Sequence, residues 1–383
     1  MPWSALFKLA RKIGAPGATG DALKPAEPMT HQDTRAAIEE LSKAVRNNPQ
    51  SVEIYLALGN LYRSQGDIER AIQVRTSLIE RPGLDRALKA RGYFELGRDF
   101  RRGGMLDKAR QAFEQAQGLR GGGEEIELEL ARLAADSGDY ITASEHYGRV
   151  GRAMARAHFL SLQASRHFRQ GEDDKGRKLL AQALEIFPAS PEAWLATVVN
   201  HALNAEPGPL STALREACTG IPAPQRFLLL EGLLEALSAA RSDQPPTDAA
   251  EPGRKALSQQ AISMLVRTCV EVLSHLPPDA LLCYYCAKLH LFEADLASAK
   301  HWLEKALVLN ADFWLARLEL VTLVLVDQEL TPFLRDQLAY FLSHARKSKR
   351  FVCQVCGFRW DKTFFTCPRC RSWHSILFRQ EFS

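Results

Sequence analysis

The sequence predicts an all-α protein: a superhelical array of helical hairpins with a small four-cysteine unit at its C-terminal end. Two observations carry this expectation. A pattern of large and small apolar residues recurs about every 34 residues through the middle of the chain. Near the end, two Cys-x-x-Cys pairs, Cys353/Cys356 and Cys367/Cys370, stand ten residues apart. Composition agrees with a soluble folded chain, at 46% hydrophobic and 25% charged residues.

Residues 1–14, "MPWSALFKLARKIG", place Trp3, Leu6, Phe7, Ala10 and Ile13 at helical spacing among Lys8, Arg11 and Lys12. The run is too short to span a bilayer. It has the character of a basic amphipathic segment that lies in a membrane interface or packs on protein. Residues 15–29, rich in Gly, Ala and Pro, read as a linker.

The array is expected over residues 30–348. It opens on an isolated second helix carrying Ala37, Leu41, Ala44 and Pro49. The first full copy of the pattern supplies Tyr55, Leu58, Gly59, Tyr62, Ala71 and Leu78, and only Arg75 is out of character. Further copies follow, with Leu96, Gly97, Ala109 and Phe113 in the second and Leu130, Ala131, Ala143 and Tyr147 in the third. The fourth holds Leu160, Ala164, Leu180 and Ala183; the fifth holds Trp194, Val198, Leu214 and Ala217. Another begins near Ala280, with Ala287, Ala299, Leu303 and Ala306. This is the tetratricopeptide pattern. Small residues at positions 8, 20 and 27 let paired helices approach, and large ones fill the space between neighbouring hairpins. The dipeptides Gly66-Asp67, Gly138-Asp139 and Gly171-Glu172 mark turns.

Two stretches break the period. Residues 241–254, "RSDQPPTDAAEPGR", cannot be helical throughout and read as an inserted loop. Residues 315–326, "LARLELVTLVLV", are apolar but too short to cross a membrane, and read as a buried helix before the tail.

Cys218, Cys269, Cys283 and Cys286 fall within the array, where buried small side chains explain them. His167, His201 and His290 occupy the aromatic slot at position 11, so packing explains them too. No catalytic constellation, phosphate loop or nucleophile motif is visible, and the chain reads as non-enzymatic, with no small-molecule substrate.

The last element, residues 349–383, is different. Two Cys-x-x-Cys turns place four thiolates around one ion, a closed site suited to one zinc or a single iron. Cys353, Cys356, Cys367 and Cys370 are the expected ligands. Gly357 stands where such a turn needs positive φ. Phe358, Trp360, Phe364 and Phe365 are expected to cover the metal. A closed site leaves no position for a reacting water, which argues for structure rather than hydrolysis. Electron transfer by a single iron remains open on ligand grounds. From His344 on, nine Lys or Arg face two acids, and "RKSKR" (residues 346–350) could meet anionic lipid, phosphate of a nucleic acid, or only solvent.

A repeat array ending in this unit resembles the bacterial lipopolysaccharide assembly protein B family. The resemblance covers residues 30–383. It rests on "NLYRSQGDIERAIQVRTSLIERPGL", "LGRDFRRGGMLDKARQAFEQ" and above all "RFVCQVCGFRWDKTFFTCPRCRSWHSI". It implies a rubredoxin-like metal-binding unit packed on the repeats. It also implies an adapter at the cytoplasmic face of the inner membrane, linking a membrane AAA+ metalloprotease to the deacetylase that commits carbon to lipid A. Family members usually begin with a membrane-spanning helix, where this sequence has the short amphipathic start, so peripheral attachment is expected.

Overall fold

The computed structural model describes residues 31–48, 51–241, 257–326, 331–346 and 350–380. The amphipathic segment, the linker, most of the inserted loop and the middle of "RKSKR" lie outside these residues. The chain divides into two compact units, 1–151 and 152–383.

The first unit starts with α1 (His31–Asn47) and continues as three hairpins. These are α2 (Val52–Gln65) with α3 (Ile68–Ile79), α4 (Arg86–Arg102) with α5 (Leu106–Arg120), and α6 (Glu124–Asp136) with α7 (Tyr140–Arg149). The turns follow from sequence. Gly66 and Gly138 adopt φ of 86° and 77°, values that cost glycine nothing. Asp67 and Asp139 then cap the second helices, accepting hydrogen bonds from the backbone N–H of Arg70 and Thr142. Ala71, Ala109 and Ala143 are fully buried at the helix crossings. A Cβ on Gly97 would sit 2.6 Å from the Phe113 ring, so the small residue at this position is a packing requirement.

Arg75 explains itself in three dimensions. It is fully buried, and its guanidinium donates to Leu56 O, Asn60 Oδ1 and Asp99 Oδ2 at 2.9, 2.6 and 3.3 Å. Arg63 closes the other side of the same carboxylate, at 2.7 Å from Asp99 Oδ1. Position 24 of this repeat therefore holds a charge cluster where its relatives hold an apolar side chain. Gly59 makes room for it, because a Cβ there would meet the Arg75 guanidinium.

The described residues of the second unit form five hairpins. Their first helices are α8 (Ala153–Arg169), α10 (Pro191–Leu203), α12 (Arg226–Arg241), α14 (Ala280–Phe292) and α16 (Trp314–Val326). Their second helices are α9 (Asp173–Ile186), α11 (Pro207–Gly220), α13 (Gln259–Ser274), α15 (Leu296–Leu309) and α17 (Pro332–Arg346). The hairpin α12/α13 brackets the inserted loop and was not visible as a repeat, because the insertion breaks its period. The apolar stretch at 315–326 forms α16, but it is not buried throughout. Leu315 and Ala316 are buried, whereas Val321 and Val324 are exposed. It belongs to the last hairpin among the described residues. No helix among the described residues is long and apolar enough to cross a membrane.

His167, His201 and His290 do more than fill an aromatic slot. Each pairs through Nδ1 with an acid five residues on: Glu172 at 2.6 Å, Glu206 at 2.6 Å and Asp295 at 3.2 Å. These acids stand at the start of the second helix, so the pair staples each hairpin turn. The recurring His-x-x-x-x-Asp/Glu spacing was the signal in the sequence.

The tail folds as a three-stranded antiparallel sheet in the order β2-β1-β3. The strands are β1 (Phe351–Cys353), β2 (Arg359–Trp360) and β3 (Ile376–Phe378), with Cys353 opposite Ile376.

Candidate metal centre and the face it covers

The two Cys-x-x-Cys turns are near copies of each other. In the first, Gly357 N–H donates to Cys353 O and Cys353 N–H to Phe358 O, both at 2.8 Å. In the second, Arg371 N–H donates to Cys367 O at 2.8 Å and Cys367 N–H to Ser372 O at 2.9 Å. The fourth residue after each leading cysteine turns left-handed: Gly357 at φ 68° and Arg371 at φ 58°. Arginine takes this conformation at a cost that glycine avoids.

These turns bring the four tail sulfurs within 4.8 Å of one another. Cys353 Sγ lies 3.7 Å from Cys370 Sγ, and Cys356 Sγ lies 3.7 Å from Cys367 Sγ. A tetrahedron of sulfurs about 2.3 Å from a zinc ion has an edge of about 3.8 Å, so the donor set fits such an ion. Burial opposes ionisation of Cys353, but the hydroxyls of Ser375 and Ser372 and two backbone N–H groups outweigh it and bring the thiol down to about 5. Ser372 likewise lowers Cys370. Cys356 moves the other way, up to about 12, so Cys353 and Cys370 are the thiols held ready as thiolates for a cation.

The array cysteines are all shifted upward. Burial pushes Cys218 up to about 11, and Cys269 and Cys286 up to about 12. They are packed in the core of the second unit. Among the described residues, the tail cysteines are the cluster with metal-ligand geometry.

The ribbon does not stand at the end of the array as a terminal cap. It lies along the first helices of all five hairpins of the second unit. Trp373 meets His158 of α8 edge-on at 4.9 Å. His374 reaches Glu192 of α10, and Gln225, just before α12, donates to His374 O at 3.1 Å. Phe351 stacks on Phe227 of α12 at 5.4 Å. Phe378 sits among Phe227, Tyr284, Tyr285 and Phe313, with centroids 5.6 to 6.3 Å away. Trp314 of α16 donates through its backbone N–H to Gln380 O and through Nε1 to Arg379 O, both at 3.1 Å. Phe351, Trp373 and Phe378, which flank the cysteine pairs, therefore serve docking. Phe364 and Phe365 pack against the core of the array, while Phe358 contacts Trp360.

Two segments, residues 29–84 and 157–199, match the model of the Tetratricopeptide repeat. Lipopolysaccharide assembly protein B of Escherichia coli K12 is 22% identical over 362 residues, covering 89% of this chain and 84% of the relative. The chain resembles lipopolysaccharide assembly protein B along most of its length. The protein of that name from Escherichia coli O157:H7 gives the same figures. A tetratricopeptide repeat and J domain-containing co-chaperone of Fusarium oxysporum is 29% identical over 140 residues, 34% of this chain and 26% of the co-chaperone. Among solved structures, a tetratricopeptide repeat protein from Parabacteroides merdae covers 76% of this chain and 99% of its own, at 15% identity and TM-score 0.33. YrrB, described as having an unusual peptide-binding site, covers 51% and 97% at 21% identity and TM-score 0.35.

The polar heart of the interface between ribbon and array was not legible in the sequence. Oε1 of Glu192 accepts from His374 Nε2 at 2.8 Å and pairs with His158 Nδ1 at 3.0 Å, while Ser190 Oγ donates to Oε2 at 3.1 Å. The ring of Phe187 stacks on His374 at 5.9 Å. Glu192 and His374 are 182 residues apart, so no local pattern announces the pair. Arg350, the described end of "RKSKR", also turns inward, 3.1 Å from Glu231 Oε1. Tyr285 OH donates to the other oxygen of Glu231 at 2.9 Å.

Burial pushes the Glu192 carboxyl up, but the two imidazoles outweigh it and bring it down to about 2. A depressed folded value means stability that is complete above the ordinary carboxyl range and is lost as pH falls through the folded one. Wild type is expected to exceed Glu192→Gln in stability at pH 7 by an amount on the order of 3 kcal/mol. That gap should close between pH 4.5 and 2. Urea unfolding of both chains across this range checks it; a gap independent of pH would show that Glu192 acts by shape alone.

Proposed function

We propose that the chain is a non-enzymatic adapter of lipopolysaccharide assembly. In this reading residues 30–348 form the protein-binding array and residues 349–383 a rubredoxin-like ribbon. Cys353, Cys356, Cys367 and Cys370 hold one zinc ion, which supplies a structural cross-link in place of a core too small to fold alone. The adapter works at the cytoplasmic face of the inner membrane as a peripheral protein. It joins a membrane-bound AAA+ protease to the deacetylase of lipid A synthesis and so sets how much deacetylase survives.

The observation that carries the reading is the combination, in one chain, of a repeat array with a four-cysteine ribbon seated on it, together with similarity to lipopolysaccharide assembly protein B over 89% of the chain. Stacked hairpins present extended surfaces suited to partner proteins. Affinity capture of the tagged full chain from its native host, with membranes solubilised, tests the reading. Recovery of the protease and the deacetylase supports it; their absence, with other partners enriched instead, overturns it.

A further inference from the structure

The first helices of the first unit carry a distinctive chemistry of their own. There, arginines and carboxylates form a two-level arrangement. Glu95 and Arg98 on α4 recur as Glu129 and Arg132 on α6, one repeat later. The carboxylates lie underneath: the side chain of Glu129 is 5% exposed, that of Glu95 13%, and that of Asp99 fully buried. The guanidiniums lie above: the side chains of Arg98 and Arg132 are 39% and 41% exposed.

Each carboxylate holds several arginines. Glu129 takes Arg132 at 2.8 Å, Arg101 at 3.4 Å and Arg98 at 3.5 Å. Glu95 takes Arg63 at 2.8 Å and Arg98 at 3.3 Å. Burial pushes the Glu95 carboxyl up, but Arg63, Arg98 and Arg75 together outweigh it and hold it below the ordinary range, so it is an anion at neutral pH. The outer guanidiniums are thus positioned in advance by anions that solvent barely reaches. They keep N–H groups for a further acceptor, because each has five donors and a planar fork matched to carboxylate.

We propose that this arginine row on α4 and α6, with Arg63 of α2 at its edge, is the docking site for an acidic, extended segment of a partner protein. The proposal rests on the adapter reading and specifies the face and the chemistry of its ligand. Charge complementarity chooses the occupant. A short segment with two or three carboxylates matches a row of this length. A polyphosphate backbone requires a longer uninterrupted basic stripe, and here Glu53 and Asp136 reach the surface on the flanks, with side chains 56% and 49% exposed.

The test uses the full chain and a fluorescein-labelled twelve-residue peptide rich in glutamate, against a glutamine-substituted control and a single-stranded oligothymidine. The expected result is binding of the acidic peptide that weakens with salt, no binding of the control, and at least tenfold weaker binding by Arg98→Gln/Arg132→Gln. That variant leaves the 5% exposed Glu129 with Arg101 as its remaining partner and should lose some thermal stability, so its binding is read at a temperature where circular dichroism shows both chains folded. Unchanged affinity in the variant, failure of the acidic peptide to bind, or tighter binding of the oligothymidine at the same residues each overturns the proposal. The adapter reading fails separately: protease and deacetylase captured without peptide binding would refute the docking site alone, and peptide binding without capture would refute the reading alone.

Discussion

Cys353→Ser is expected to lose the ion and to release residues 350–380 from the second unit. The cost has two parts. A unit of about thirty residues lacks the core to fold unaided, and structural zinc contributes on the order of 10 kcal/mol to such domains. Release then uncovers the face that the ribbon seals, including Phe227, Tyr285 and Phe313, all fully buried in the intact chain. Limited proteolysis should cut the variant chain between 346 and 383 at rates at least tenfold above wild type, with the fluorescence of Trp314 and Trp373 shifted to longer wavelength. Full metal content and unchanged protease resistance would mean that the sulfur cluster is not what folds the tail.

Asp99→Ala should produce the second large effect, and in the other unit. Removing this carboxylate leaves the fully buried Arg75 guanidinium without the anion it faces at 3.3 Å and frees one arm of Arg63. Breaking a buried pair from one side costs about 3–5 kcal/mol. Repair should come from removing the charge altogether. Arg75→Leu combined with Asp99→Ala restores the large apolar residue that position 24 ordinarily takes, while Arg63 keeps Glu95. Chemical denaturation of the three chains checks this: the single variant falls furthest and the double variant recovers most of the loss. A double variant no more stable than Asp99→Ala would show that the cluster contributes by its hydrogen bonds and not by balanced charge.

The comparison of sequence with structure divides along the range of the interactions. Hairpins were legible wherever a small residue and its large partner lie within one repeat, as with Gly97 and Phe113. The tail cysteines were legible because both turns are local, and Gly357 was identified by the conformation that one turn requires. Arg75 stood out but could not be interpreted, since Asp99, which neutralises it, belongs to the next hairpin. The hairpin α12/α13 escaped because the insertion between its helices removes the period that marks the others. The placement of the ribbon also escaped. Its contacts join residues such as Phe378 and Phe227, or His374 and Glu192, across 150 or more positions, and the position of the tail in the sequence indicated only a unit at the C-terminal end of the array. Of the aromatic residues between the cysteines, expected to cover the metal, Phe364 and Phe365 pack on the core cluster of the second unit and Phe358 on Trp360. What Phe364 and Phe365 face is set by the array, and the segment alone does not contain that information.

Hydrogen–deuterium exchange of the full chain, before and after removal of its metal by a chelator, addresses most directly the claim that a metal-folded ribbon is a built-in part of the second unit. The account predicts that chelation accelerates exchange across residues 350–380 and also in α12 and α14, whose Phe227, Tyr284 and Tyr285 the ribbon covers, while α2 to α7 are unchanged. Faster exchange confined to the ribbon, with α12 and α14 as protected as before, would contradict it.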